Sequence, residues 1–574
     1  ASASGAMDMS MPSKHDMSNM AGSEASAAGA MDMSKSSKHD MSNMAGSASA
    51  NNEVSAKELQ LEQMRTQQAQ LEQAYQREVS AQKKEDAKAL ELMERDPRAH
   101  VAMMKMEQEH RQLALELPRL LLQREAQVYQ ELQSVQAAAS AKLPETGALM
   151  KQMVSMTSWS QIPLLALGAW LIVSPFTLGY HSVPLTWSDV ISGILIITLA
   201  TIAFHTGRTG VAVANTLVGL WVAFAPLAFW TTDAAAYANG SLVGAMVIVF
   251  AFIVPMLMPM PGPDVPLGWS YNPSSWQQRA PILALALLSF FMSRYMSAYQ
   301  LGHIAWAWDP LFGSGTVKVL TSTVSHAFPI SDAGLGAFLY LIELLSGFMG
   351  DPRRWRTMPW MVAFFGFLVV PLGIVSVGLI ITQPVVVGAW CTLCLLSALA
   401  MLLMVALSLD EVIAMLQFLW QTHRAGKSVW RTFWLGGDAL GDNLIPRHSK
   451  TTQPLQMFWG VTVPWNLLVS TVFGVWLMAA PSIFQTQGSV AHSDHILGAL
   501  VVTVAIVAFA EVARAARFIN IVLALGIILL PWLLGGATLA SGINDLIIGL
   551  LVIALSIPPG KIKNTYGNWN PLIV

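Results

Sequence analysis

The chain has 574 residues, of which 54% are hydrophobic and only 12% charged, with a formal net charge of −2 and a mean hydropathy of +0.49. Ordinary soluble chains carry about 25% charged residues, so a soluble enzyme is excluded, and no basic nucleic-acid motif appears. Cys391 and Cys394 are the only cysteines, so no disulfide framework beyond one bridge can form.

At the start of the chain, residues 6–23 recur at 30–47 with 16 of 18 positions identical. The tract is rich in Ser, Ala, Gly and Met and has no packing periodicity, so residues 1–50 read as disordered. Met7, Met9, His15, Met17 and Met20 return as Met31, Met33, His39, Met41 and Met44. Thioether sulfur is a soft ligand that selects Cu(I), and imidazole adds affinity for Cu(II). The tract is therefore expected to capture copper; a tail duplicated without any ligand is the alternative. Residues 51–150 are dense in Glu, Gln, Lys, Leu and Ala and read as a polar helical, coiled-coil-like region broken at Pro97 and Pro118. Leu143-Pro144-Glu145-Thr146-Gly147 resembles a sortase recognition sequence, but no anchor and basic tail follow it, and it reads as a linker.

From Trp159 onward, apolar blocks of about 16–25 residues succeed one another, starting near 162, 188, 211, 241, 280, 333, 358, 388, 464, 495, 518 and 543. The expected fold is all-α: a polytopic transmembrane helical bundle of about 12 spans. Assigning loops alternately to the two sides puts fourteen basic residues on one side, from Arg208 and Arg279 to Lys561 and Lys563, and only Lys318 on the other. The rich side is expected to be cytoplasmic in a bacterial inner membrane, with the C-terminus inside. The side of the N-terminal extension stays open. Met/His copper tails suit the outside, and an Ala-Ser-Ala start suits a removed signal peptide, yet parity places residue 158 inside.

Two-helix units repeat within the membrane part. Gly168-x-Trp170-x-x-x-Ser174-Pro175 returns as Gly219-x-Trp221-x-x-x-Ala225-Pro226 and Gly474-x-Trp476-x-x-x-Ala480-Pro481, with a degenerate copy near Gly526 and Pro531. The second helix of a unit opens Asp189-x-x-x-Gly193, Asp494-x-x-x-Gly498 or Asp545-x-x-x-Gly549, with Gly240 in the Asp position of the other copy. These residues resemble the SPW-repeat family over 159–260 and 459–558, each a module of four spans. For the repeat residues the expectation is packing rather than chemistry. Residues 409–458 read as a cytoplasmic loop.

Four spans over 280–408 lie between the modules, and the last opens Gly388-Ala389-Trp390-Cys391-Thr392-Leu393-Cys394. A Cys-x-x-Cys one turn inside a membrane helix puts both sulfurs on nearly one face, where they can cycle between dithiol and disulfide. Cys391, nearer the helix end, is expected to be the solvent-facing nucleophile, its pKa lowered by the helix N-terminus. This block resembles the vitamin K epoxide reductase family. The likeness extends to Asp309-Pro310-x-Phe312-Gly313 and to Val319-Leu320-Thr321-Ser322 through Phe328-Pro329 to Gly336 and Tyr340. It implies a Cys391–Cys394 redox pair exchanging electrons with a membrane quinone, and a thioredoxin-fold protein as thiol partner. One departure stands out. The family's loop cysteine pair is missing, and Thr316 falls where its second member would be.

Arg294 and Glu343 are charges inside the block, where an unpaired ion costs about 2.5–3.5 kcal/mol. They are expected to pair in the interior or to meet a quinone carbonyl, with a snorkelling Arg294 and a protonated Glu343 as the alternative. Ser322 and Trp390 complete the cavity candidates, while His303 and His326 read as solvated loop residues. The leading function is a quinone-linked membrane thiol–disulfide oxidoreductase. Beside it stand a copper-stress protein whose Cys pair holds Cu(I), and a non-catalytic scaffold of SPW repeats.

Overall fold

The computed structural model describes residues 158–206, 209–256, 264–437, 457–534 and 536–573. The Met/His tract of 1–50 and the region 51–150 lie outside them. The described residues are helical without a strand. The first module holds α1 (Gln161–Thr177), α2 (Val183–Thr206), α3 (Thr209–Ala228) and α4 (Ala234–Met256). The central block holds α5 (Trp276–Gln300), the short α6 (Gly315–Leu320), α7 (Asp332–Phe348), α8 (Arg354–Thr357), α9 (Pro359–Thr382) and α10 (Thr392–Arg424), with α11 (Val429–Leu435) after it. The second module holds α12 (Trp465–Phe484), α13 (Ser489–Val507), α14 (Ile519–Leu534) and α15 (Leu539–Ser556).

Each of the twelve apolar blocks carries one helix, but the exact count of twelve spans is not confirmed. Among the described residues nine helices are long and apolar enough to cross a membrane, while Gln161–Thr177 and Val213–Ala228 are shorter apolar helices. The remaining helix, α7, has 17 residues and includes Asp332 and Glu343. The expected loop after 408 also begins late. α10 continues to Arg424 because Ala406, Ala414 and Phe418 pack into a core with Trp269, Tyr271 and Trp355.

The repeat residues have a direct packing role. Gly168 and Gly193, on paired helices, sit so close that a Cβ on Gly168 would fall 2.8 Å from the Gly193 carbonyl oxygen. Gly219 meets Gly244, and Gly474 meets Gly498, in the same way. Without a hydrophobic drive between helices in lipid, such close backbone approach supplies the association. The repeat tryptophans join one hairpin to the other. Trp170 Nε1 donates to Asn239 Oδ1 at 2.7 Å, and Trp221 Nε1 donates back to Ser188 Oγ at 2.9 Å. In the second module Trp476 Nε1 donates to Asn544 Oδ1 at 3.0 Å, but no return bond exists. The degenerate copy explains this. Ala524, seven residues before Pro531, lies against Gly549, and Gly526 stands in the tryptophan position.

A Cβ at Gly474 would lie 2.7 Å from Val502 Cγ2 and 2.8 Å from the Gly498 carbonyl, whereas one at Gly526 would meet only Leu497 at 3.5 Å. Gly474→Ala is therefore expected to cost about 1–3 kcal/mol through overpacking. Gly526→Ala should be neutral or slightly stabilising, because alanine favours the helix. Thermal unfolding of both variants in detergent checks the contrast.

One end of the helices gathers the buried arginines. Arg354 makes a bidentate pair with Glu411, Nε to Oε1 and Nη2 to Oε2 both at 2.7 Å. Its Nη1 also donates to the Ser346 and Met349 carbonyls at 2.8 and 3.0 Å. Arg279 donates to the carbonyls of Ser274, Gly350 and Asp351 at 2.9, 3.1 and 2.7 Å. The two guanidinium groups thus converge on the carbonyls where α7 ends. Arg279, Arg354, Arg356, Arg514 and Arg517, counted from sequence as loop charges, are in fact buried in this cluster and its neighbours. Glu411 lies 20 residues beyond Cys391 along α10, about 30 Å at helical rise. That is the thickness of a bilayer core.

Candidate active site

Cys391 and Cys394 are joined by a disulfide at the opposite end of α10. The pair is not one turn inside the helix. α9 continues through a π-helical turn (Gln383–Val387) to Gly388, whose φ of +66° reverses the chain, and α10 begins only at Thr392. Cys391 is therefore the N-cap, and its sulfur accepts the Cys394 N–H at 3.2 Å. Gln383 Oε1 accepts the Cys391 N–H at 2.9 Å and fixes the turn.

The expectation that Cys391 faces solvent is overturned. It is fully buried, with Met296 of α5 and Thr316 of α6 over it, while Cys394 is half-buried. Thr316 Oγ1 lies 3.4 Å from Cys391 Sγ, so the residue in the place of the family's second loop cysteine does touch the membrane pair. A hydroxyl there can hydrogen-bond sulfur but cannot exchange with a disulfide.

Sequence reasoning missed Asp309 as a site residue. Its Oδ2 accepts the Thr316 N–H and Oγ1–H, both at 2.8 Å, and its Oδ1 accepts the Phe312 N–H at 2.9 Å and the Thr392 hydroxyl at 2.5 Å. One carboxylate thus ties the loop, α6 and the start of α10 together. Although partial burial works against it, the bonds from Thr392, Phe312 and Thr316 hold its carboxyl well below the usual carboxylate range. The only clue in the sequence was Asp309-Pro310 opening the loop; the partners are 7 and 83 residues away. The Thr316 hydroxyl thus stands between Asp309 Oδ2 and Cys391 Sγ.

Because a depressed carboxyl pKa stabilises the state that holds the anion, this tie is in force above the ordinary carboxylate range. It weakens only as pH falls through the lower folded value. Asp309→Asn removes the charge and one acceptor oxygen. It is expected to raise the rate at which a water-soluble maleimide labels Cys391 in the reduced protein roughly tenfold or more, the scale of lost charge-assisted hydrogen bonds. Mass spectrometry of the labelled peptide reads this.

The other candidates disperse. Trp390 stands directly before the pair, 6.4 Å from Phe312 and 5.6 Å from His495 of the second module, by ring centroids. Ser322 is taken up inside the loop, donating to the Val319 carbonyl at 2.8 Å. Arg294 and Glu343 do not pair. Arg294 stacks on Tyr237 of the first module at 3.6 Å, and both Glu343 oxygens are buried without a hydrogen-bond partner. α7 positions Glu343 toward its middle, so cation–π contact with an adjacent module replaces the expected ion pair. His326 is exposed, as expected for a solvated residue. His303 is half-buried, its Nε2 3.1 Å from the Thr231 carbonyl.

Residues 280–409 match the vitamin K epoxide reductase family, and residues 158–254 and 464–558 match the SPW repeat domain. Neither a curated protein nor a solved structure matches the chain.

Proposed function

We propose that this chain, a multi-pass membrane protein with a vitamin K epoxide reductase family domain between two SPW repeat domains, is a quinone-linked thiol–disulfide oxidoreductase. The observation that carries the reading is the asymmetric Cys391–Cys394 disulfide, one sulfur sealed and the other half-buried at a helix end. In this reading a donor dithiol reduces the disulfide to two thiols. The Cys394 thiolate then delivers an electron pair to the quinone, two protons complete the quinol, and the disulfide re-forms. Cys391 acts as the internal partner, held by Thr316 and Asp309, and Trp390 walls the mouth. Arg294, Glu343 and Ser322 remain outside this step, since none of them is brought against the pair.

The missing loop cysteines give this chain a different donor route. With Thr316 at the contact point, a thioredoxin-fold protein supplies the dithiol directly, and the loop has to lift from Cys391 or expose Cys394 further. The membrane is taken as a bacterial inner membrane with the buried arginine cluster inside and the cysteine end outside, because of the basic-residue asymmetry. The copper expectation for the Met/His tract of 1–50 remains a separate proposal.

Trapping free thiols with an alkylating mass tag in membranes tests the redox cycle. The pair is expected to be oxidised when quinone is present and to accumulate as dithiol when quinone is depleted and donor dithiol added. A pair whose state ignores the quinone would exclude the reading.

A further inference from the structure

A third sulfur lies against the pair. Met296 projects from α5, is 5% exposed, and places its Sδ 3.6 Å from Cys394 Sγ and 4.0 Å from Cys391 Sγ. A leucine would fill the same space, yet the thioether is directed at both cysteine sulfurs. For a trigonal metal site with metal–sulfur bonds of about 2.3 Å, the sulfurs stand about 4 Å apart, which is 2.3 Å times the square root of three. Both Met296 edges already have nearly this length. Only the cysteine–cysteine edge has to open, and reduction of the disulfide releases it.

We propose that Cys391, Cys394 and Met296 form a Cu(I) site when the pair is reduced. Two thiolates and one thioether are a soft donor set that selects Cu(I) among biological metals. Cu(I) displaces one proton from each thiol and yields a three-sulfur complex with one net negative charge, the two protons leaving to water. The metal cancels one of the two thiolate charges, and the Cys394 N–H at 3.2 Å from Cys391 Sγ supports the other. The functional consequence is direct. A pair held by Cu(I) cannot close its disulfide, so copper arrests electron transfer one metal per chain. The site uses the sulfurs of the redox reading but does not require the quinone step.

The test is competition for Cu(I), supplied as the metal alone, between a chromophoric Cu(I) chelator and the reduced full-length protein. Wild type is expected to retain one equivalent more than a Cys391→Ala/Cys394→Ala variant, a difference from which any metal on the shared Met/His tract cancels. Met296→Leu should weaken that equivalent tenfold or more, and the oxidised chain should lack it. Equal retention by wild type and the double-alanine variant overturns the site, as does unchanged affinity in Met296→Leu. Should Met296→Leu fail to fold, the X-ray absorption of copper-loaded wild type minus that of the double-alanine variant decides: three sulfur neighbours support the site and two contradict it. Quinone reduction by the metal-free protein, measured in parallel, separates the two readings. If it is absent while the extra copper is bound, only the redox reading falls.

Discussion

Glu411→Ala is expected to destabilise the folded protein by about 3–5 kcal/mol, the scale for removing one partner of a buried ion pair. The side chains of Arg354 and Glu411 are 0% and 3% exposed, so the stranded guanidinium could not recover its solvation from water. Glu411 also accepts the Ser274 hydroxyl at 2.5 Å, and that group would lose its acceptor too. The same loss acts on topology, because Arg354 joins the end of α7 to the middle of α10 through the Ser346 and Met349 carbonyls. Replacing both partners with apolar residues, often harmless for an isolated buried pair, is expected to stay destabilising here. It removes the Arg354 donor from both of those carbonyls at the end of α7. Denaturant unfolding in detergent, comparing Glu411→Ala, Arg354→Met and the double variant, tests all three statements.

Cys394→Ala is expected to reduce dithiol-driven quinone reduction to the rate of the uncatalysed thiol–quinone reaction. Cys391 alone cannot carry the chemistry, for two reasons. A single sulfur has no partner with which to expel the quinol as a disulfide closes. It is also fully buried beneath Thr316 and Met296. Cys391→Ala is expected to be equally inactive in turnover, yet its remaining half-buried Cys394 should react faster with a quinone-like electrophile in a single event. Steady-state assay and adduct detection by mass spectrometry distinguish these two outcomes.

Much of the architecture was readable from residue order. Apolar block lengths placed all twelve major helices of the described region, and Gly168, Trp170 and Pro175 with their later copies revealed the hairpin unit. The likeness around Cys391 and Cys394 marked the domain that the family comparison finds at 280–409. It also put Thr316 in the place of the family's second loop cysteine, and Thr316 Oγ1 lies 3.4 Å from Cys391 Sγ. What escaped was set by distances along the chain. Asp309 works through Thr392, 83 residues on, and no local pattern records such a bond. Met296 reads as one more apolar residue of α5, since nothing in periodicity tells a packing thioether from one aimed at sulfur.

The errors have the same origin. A Cys-x-x-Cys inside an apolar run looked like helix interior, but Gly388 turns the chain and Cys391 serves as cap. Arg294 and Glu343, as charges in one block, were expected to pair or meet a quinone, with a snorkelling Arg294 and a protonated Glu343 as the alternative. Tyr237, from another module, offered Arg294 a ring face instead. The fourth repeat copy is degenerate as expected, and the contact of Ala524 with Gly549 puts Ala524 in the glycine position and Gly526 in that of tryptophan.

The central claim is tested most directly by a single-turnover titration. The protein is reduced, freed of reductant and mixed anaerobically with a short-chain quinone, and quinol and protein disulfide are both counted. One quinol and one Cys391–Cys394 bridge per chain are expected, appearing together. A pair that stays dithiol while quinone is unchanged would contradict the account.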